Sequence, residues 1–183
     1  MTTPRTARTA HTADLAPAEL AAVRALLDDA FDGDFSDEDW AHSLGGVHAL
    51  VHDGTGALLA HGSVVQRHVV HRGRTLRVGY VEAVAVRADA RRTGLGGQVT
   101  GALERVIAAA YDFGALSASS AGRRLYEGRG WAAWDGPFAA YGPAGTVDLP
   151  DEAPPFLFPA ATVRVLLDQD HPLLFDWRDG DLL

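Results

Sequence analysis

Val78-Gly-Tyr-Val-Glu82-Ala-Val-Ala-Val86-Arg-Ala-Asp-Ala-Arg91-Arg-Thr-Gly94-Leu-Gly96-Gly-Gln-Val-Thr-Gly-Ala-Leu103 reads as a strand, a tight turn and a helix that runs on to about Tyr111. Alternation places Val78, Tyr80, Glu82, Val84 and Val86 on one face of the strand and Gly79, Val81, Ala83 and Ala85 on the other. Both faces are largely apolar, which predicts burial on two sides, with Glu82 the one interruption. Beyond Arg87, the residues Val99, Leu103, Val106, Ile107 and Ala110 recur at helical spacing and put Gly94 and Gly96 at the helix N-terminus. Such a turn seats an anion. The first N–H groups of a helix are unpaired, the macrodipole is positive there, and glycine lacks the Cβ that would keep a phosphate away. Arg87, Arg91 and Arg92 are expected to add mobile positive charge.

The chain has no lysine, so the turn is not a Walker A loop, and its glycine spacing is not the dinucleotide-binding G-x-G-x-x-G. The remaining readings are an ordinary helix-start turn or a phosphate loop of another kind.

Upstream, Leu20, Val23, Leu26 and Leu27 predict an amphipathic helix from about Pro17 to Ala30, preceded by a polar leader whose first ten residues are expected to be flexible. An acidic turn follows. Ser36 and Asp39 then form a capping-box pattern that opens a short helix through Trp40 and Leu44. Val47–His52, Ala57–His68 and Thr75–Val86 are β-rich runs joined by Asp53-Gly-Thr-Gly56 and His71-Arg-Gly-Arg74, which predicts an antiparallel meander. His48, His52, His61, His68 and His71 fall in this meander without ligand spacing. They read as packing or edge residues, and no metal site is expected.

Downstream, Gly114–Ser119 reads as a strand, Ala121–Arg129 as a helix and Gly130–Trp134 as a strand. The middle of the chain is therefore β-α-β-α-β, with parallel pairing by right-handed crossovers, so the central sheet is expected to be mixed, in an α/β (α+β) fold flanked by helices. Gly142–Pro155 reads as a Pro/Gly-rich loop, followed by short strands near Phe156–Phe158 and Leu173–Trp177. Neither a repeat nor a composition boundary divides residues 1–183, which predicts one domain.

The 183 residues carry a formal charge of −8 and no cysteine. The charge argues against nucleic acid and anionic membranes, and for a cationic partner. Without cysteine there is no disulfide framework and no thiolate nucleophile. No run is long enough to span a membrane and the first residues lack the apolar segment of a signal peptide, so the expected location is the cytoplasm.

Arg91-Arg-Thr-Gly94-Leu-Gly96 after a buried strand resembles the coenzyme A pyrophosphate loop of the GCN5-related N-acetyltransferases (GNAT), and Leu125-Tyr126-Glu-Gly-Arg-Gly130-Trp131 resembles their L-Y-x-x-x-G-[FW] segment. The two motifs occur in the family's order and in its β-α-β-α-β setting. Asp32-Gly-Asp34-Phe35, Asp39-Trp40, Leu44-Gly-Gly46, Gly79-Tyr-Val-Glu82, Gly114-Ala-Leu-Ser117 and Asp176-Trp-Arg178 with Gly180-Asp181 extend the likeness, over nearly the whole chain, to the aminoglycoside 2'-N-acetyltransferases.

The resemblance implies direct transfer of acetyl from acetyl-CoA to the 2'-amine of a cationic aminoglycoside, in a homodimer. It implies Glu82 as base, directly or through a water, and Tyr126 as acid toward the leaving thiolate. For the cofactor it implies the backbone of Val84, Ala85 and Val86 against the pantetheine arm, and Arg91, Arg92, Thr93, Gly94, Leu95 and Gly96 around the pyrophosphate. For the substrate it implies Asp34, Glu82, Ala83, Ser117, Asp151 and Glu152, with Asp39, Asp179, Asp181 and the terminal Leu183 as additions. Two departures bear on substrate range: Ala83 stands where relatives have glycine, and Leu183 where they end in tryptophan. The residues leave open an enzyme of the same fold that acetylates another amine, and a protein that binds coenzyme A or a cationic drug without turnover.

Overall fold

A computed structural model describes residues 6–158 and 167–183. The chain divides into two compact units, each discontinuous in sequence: residues 1–65 with 81–106, and residues 66–80 with 107–183.

The first unit holds strand β1 (Arg8–His11), helices α1 (Pro17–Ala30) and α2 (Asp37–Ser43) and strand β2 (Val47–His52). It also takes the first part of strand β3 (Leu58–His71), the last part of strand β4 (Arg74–Val86) and most of helix α3 (Leu95–Ala110). The predicted flexible leader is corrected here. Met1–Arg5 lie outside the described residues, but Arg8–His11 pairs antiparallel with Val47–Leu50, so this part of the leader is an ordered edge strand.

Helix α1 forms where the periodicity places it. Proline occupies its first turn, and Ala16 has no side-chain acceptor to cap the helix, so the Glu19 carboxylate reaches back to the Ala16 N–H at 3.0 Å. Val23, Leu26 and Leu27 face inward at i, i+3 and i+4 and meet Leu15, Phe35, Leu50 and Ala85. Each such leucine or valine burial stabilises by about 1.5–3 kcal/mol. On the other side of the strands α3 can approach closely because residue 62 is glycine. A Cβ there would lie 2.7 Å from Val99 Cγ1, 3.0 Å from Val84 Cγ2 and 3.2 Å from Leu103 Cδ1.

The second unit takes the rest of β3, β4 and α3, with β5 (Phe113–Leu116), helix α4 (Arg123–Glu127), β6 (Ala132–Ala133), β7 (Phe138–Gly142), β8 (Gly145–Asp148), β9 (Phe156–Phe158) and β10 (Leu173–Asp176). Its strand order is β6-β9-β5-β4-β3-β10-β7-β8. β4 and β5 are parallel, with Val78 opposite Phe113, as the crossover helix requires. The sheet is mixed, but β5 and β6 do not pair with each other. β9 lies between them and is antiparallel to both. The stretch expected to be a loop from Gly142 is in part the turn of a β7–β8 hairpin, with Gly142 opposite Gly145.

Arg67, 4% exposed, holds the C-terminal segment of this unit. It donates through Nε to Asp176 Oδ1 at 2.8 Å, through Nη2 to the Asp176 carbonyl at 2.6 Å and through Nη1 to the Leu182 carbonyl at 2.7 Å, with its guanidinium over the Tyr80 ring.

Candidate active site

In the first unit, the end of β4 leads through a short turn at Ala88–Ala90 into α3. Arg92 and Gly94 adopt left-handed backbone, with φ of 61° and 86°, and the Gln98 N–H returns to the Gly94 carbonyl at 3.1 Å, making Gly94 the residue that opens the helix. A Cβ built on Gly94 meets nothing within 4 Å. The turn thus joins first-turn N–H groups, open space and the exposed side chains of Arg91 and Arg92. This donor set suits a pyrophosphate.

Two expectations about this turn change. Arg87 is not a mobile cation, because its Nε donates to Asp89 Oδ1 at 2.6 Å and its Nη2 to Oδ2 at 3.0 Å. Arg91 is partly engaged too, through Nε to the Val86 carbonyl at 3.2 Å. Thr93 turns its hydroxyl back to the Ala90 carbonyl at 2.6 Å, and Leu95 is buried at the start of α3.

The ladder between β4 and β5 runs from Val78 to Tyr80. Among the described residues, Val84, Ala85 and Val86 therefore have no strand partner on that edge, although Arg87 N donates to the Leu59 carbonyl of β3 at 2.8 Å on the other. An unpaired edge is what an extended amide-bearing arm needs for main-chain pairing.

Glu82 is half-buried in β4 after the buried Val81. The next residue, Ala83, has φ of 52°, a left-handed residue in mid-strand. That breaks the alternation expected to put Glu82 and Val84 on one face and re-aims the side chains around it, as bulges do. The Glu82 carbonyl accepts from Ser63 Oγ at 3.5 Å and the Ala83 carbonyl from His61 Nδ1 at 2.9 Å. A Cβ in this region costs about 1–2 kcal/mol, and glycine costs about 0.5–1 kcal/mol through the unfolded chain. The Ala83→Gly variant is accordingly expected to be more stable by about 0.5–1 kcal/mol, a rise of roughly 1–4 °C in Tm. A thermal melt checks it, and a lower Tm would mean that the Ala83 methyl contributes more through packing than it costs in strain.

Asp34 is exposed in the turn after α1, next to Gly33, and its N–H donates to the Phe31 carbonyl at 2.9 Å. Asp39 is engaged in a helix cap. Its Oδ2 accepts the Ser36 N–H at 2.9 Å while its own N–H donates to Ser36 Oγ at 3.0 Å, closing the capping box that the sequence predicts.

In the second unit, Tyr126 lies in α4, buried, with its ring edge-on to Trp131 at 5.8 Å. Burial pushes its hydroxyl up to about 12, so the phenol keeps its proton at neutral pH. Ser117 is exposed just past β5. Glu152 is raised by burial and then by Asp181, whose charge adjoins it and whose carboxyl it hydrogen-bonds, with Arg178 pulling the other way and Asp151 adding to the rise. Asp151, Glu152 and Asp181 therefore form a carboxylate group that a cation would relieve of repulsion. Asp179 is exposed near them in sequence. Leu183 departs from the expectation of an open substrate contact, since its side chain is buried at 4% exposure.

Two of the histidines are packing residues, as read from the sequence, but they pack against each other, which the sequence reading does not give. His48 and His61 are fully buried, and His48 Nδ1 lies 2.8 Å from His61 Nε2. Register explains the meeting: His48 stands opposite Ser63, so His61 is its diagonal neighbour on the same face. A meander with paired histidines on adjacent strands is the only sequence signal, and it becomes readable once the hairpin register is known.

The acetyltransferase (GNAT) domain family model matches residues 12–134, and the chain belongs to that family. Its similarity runs further. It is 47% identical to an aminoglycoside 2'-N-acetyltransferase of Mycolicibacterium fortuitum, over 97% of this chain and 91% of that protein. The fold is shared with the GNAT N-acetyltransferase YhbS of Escherichia coli, solved in complex with CoA, at a TM-score of 0.66 and 17% identity over 98% of this chain and 93% of that one. Escherichia coli ElaA has the same fold at a TM-score of 0.57 and 14% identity, over 84% of this chain and 97% of its own. Among the described residues no helix is long and apolar enough to cross a membrane.

Proposed function

We propose that the protein transfers the acetyl group of acetyl-CoA to the 2'-amine of an aminoglycoside and so confers resistance to it. The observation that carries this reading is the identity to the Mycolicibacterium fortuitum enzyme, which extends over almost the whole of both chains.

The loop residues Arg91 to Gly96 hold the pyrophosphate through first-turn N–H groups and two arginines, and the open edge of Val84–Val86 takes the pantetheine arm. Acetyl-CoA supplies the acetyl group as an activated thioester. An ammonium is not a nucleophile, so the Glu82 carboxylate takes its proton, directly or through one water. Tyr126 presents its phenolic proton to the departing sulfur. With the hydroxyl near 12 and a thiol near about 8.5, this contact works as a hydrogen bond to the developing thiolate rather than as complete proton transfer. Asp34, Asp151, Glu152, Asp179 and Asp181 offer carboxylates to the substrate's remaining ammonium groups.

A free-thiol assay with acetyl-CoA tests the assignment. A 2'-amino aminoglycoside is expected to give acceptor-dependent release of CoA, and its 2'-hydroxy counterpart none. Equal release with both, or with neither, removes the 2'-amine from the reading.

A further inference from the structure

The buried histidine pair belongs to a longer chain of hydrogen bonds, and the chemistry of its ends fixes the direction of every link. The Ala83 carbonyl can only accept, so His61 Nδ1 carries the proton that reaches it at 2.9 Å. Neutral His61 then has a bare Nε2, and His48 Nδ1 must donate to it at 2.8 Å. That leaves His48 Nε2 bare, and Thr12 Oγ1 donates to it at 2.7 Å while accepting the Gly45 N–H at 2.9 Å. Every donor between Gly45 and Ala83 points the same way. Thr12 has the Gly46 carbonyl as a second, longer acceptor at 3.3 Å, so its shorter bond goes to the ring.

Such a chain is costly to build. Two imidazoles are fully buried, and each is satisfied only through the other and the chain's ends. An apolar pair would fill the same space between β2 and β3. What the histidines add is a donor aimed at one carbonyl, that of the single left-handed residue in β4. Holding that carbonyl holds the backbone of Ala83 in a conformation that alanine resists. The same conformation aims Glu82 and sets which way Val84, Ala85 and Val86 face, since the left-handed residue interrupts the strand's alternation and its loss would turn the following residues to the opposite face.

We propose that His61 is a positioning residue for acetyl transfer, which through the chain from Thr12 and His48 pins the Ala83 carbonyl and thereby places Glu82 and the cofactor-binding edge of β4. The role in transfer rests on the proposed acetyltransferase reading; the hold on Ala83 does not.

Two measurements on three proteins test it. Carbon-13 and nitrogen-15 labelling reads the backbone of Ala83 through its Cα and Cβ shifts, and the thiol assay reads turnover. In His61→Phe the Ala83 shifts are expected to move toward extended values and kcat to fall about tenfold to a hundredfold, as for a reacting group misplaced by about an ångström. In His61→Asn a side-chain N–H still reaches toward the carbonyl, and both readouts are expected to stay near those of the unaltered protein. A role confined to stability would lower the melting temperature of both variants without separating them. Unchanged Ala83 shifts in folded His61→Phe, or moved shifts with unchanged kcat, would overturn the proposal. Should His61→Phe fail to fold, His61→Asn with Ala83 moved to extended values and full turnover overturns it as well. If the unaltered protein turns over no aminoglycoside while the shifts respond, the substrate reading fails and the role in transfer with it, while the hold on Ala83 stands.

Discussion

Replacing Glu82 by glutamine is expected to lower acceptor-dependent release of CoA thiol by about 10²–10⁴-fold, the range for loss of a positioned general base. Glutamine keeps the shape and most of the hydrogen-bonding capacity of the carboxylate and removes its basicity, which makes the substitution a test of proton transfer rather than of folding. The site supports this use of the residue. Glu82 is half-buried, follows the buried Val81, and precedes the one residue of β4 with left-handed backbone. Binding of acetyl-CoA should be unaffected, since its expected contacts are main-chain groups of Val84–Val86 and the turn from Arg91 to Gly96. A fall of less than tenfold, with acetyl-CoA still bound, would assign the proton to another acceptor.

The second large effect is on stability in mild acid. Burial holds His48 down at about 4, with the charge of His11 acting in the same direction. Burial followed by the neighbouring His48 holds His61 down at about 3, against the pull of its bond to the Ala83 carbonyl. In the unfolded chain both titrate near about 6.5, so below that pH the unfolded state binds more protons than the folded one. Stability is then fully present above pH ~6.5 and lost as pH falls toward the folded-state values.

Between pH 7 and pH 5 the loss is expected to be on the order of 4 kcal/mol for the pair, a large share of the ~5–15 kcal/mol available to a domain. Urea unfolding at the two pH values measures it. The double variant His48→Gln with His61→Gln should show a much flatter dependence in this window. An equal slope in that variant would place the effect on other histidines. Asp53, held down to about 2 mainly by hydrogen bonds from Thr55, and Asp168, lowered first by the Asp170 N–H, add little here because they titrate below the window.

The carboxylates proposed to meet the substrate divide into those whose local role the sequence revealed and those it could only place. Asp39 was legible as a cap because Ser36 and Asp39 stand three residues apart, and the cap is what forms. The grouping of Glu152 with Asp181 was not, because nothing local links residues separated by a segment that returns through β10. The burial of Leu183 was equally hidden, since a chain end carries no periodicity.

By itself the sequence determined the features whose cause lies within a few residues. Helix α1 begins at its proline and ends at Ala30 as the apolar spacing requires, α2 opens at its capping box, and the turn from Arg91 to Gly96 opens α3 because glycine tolerates what precedes a helix there. The motif order and the likeness along the chain identified the family for the same reason: they are strings of neighbours. Only the tertiary structure decided which strands meet. It placed β9 between β5 and β6, made a hairpin of β7 and β8, bound Arg67 to Asp176 and brought His48 beside His61. Those choices depend on register and on the burial of polar groups far apart in the chain, where a shift of one residue turns every side chain to the other face, and no local pattern records the shift.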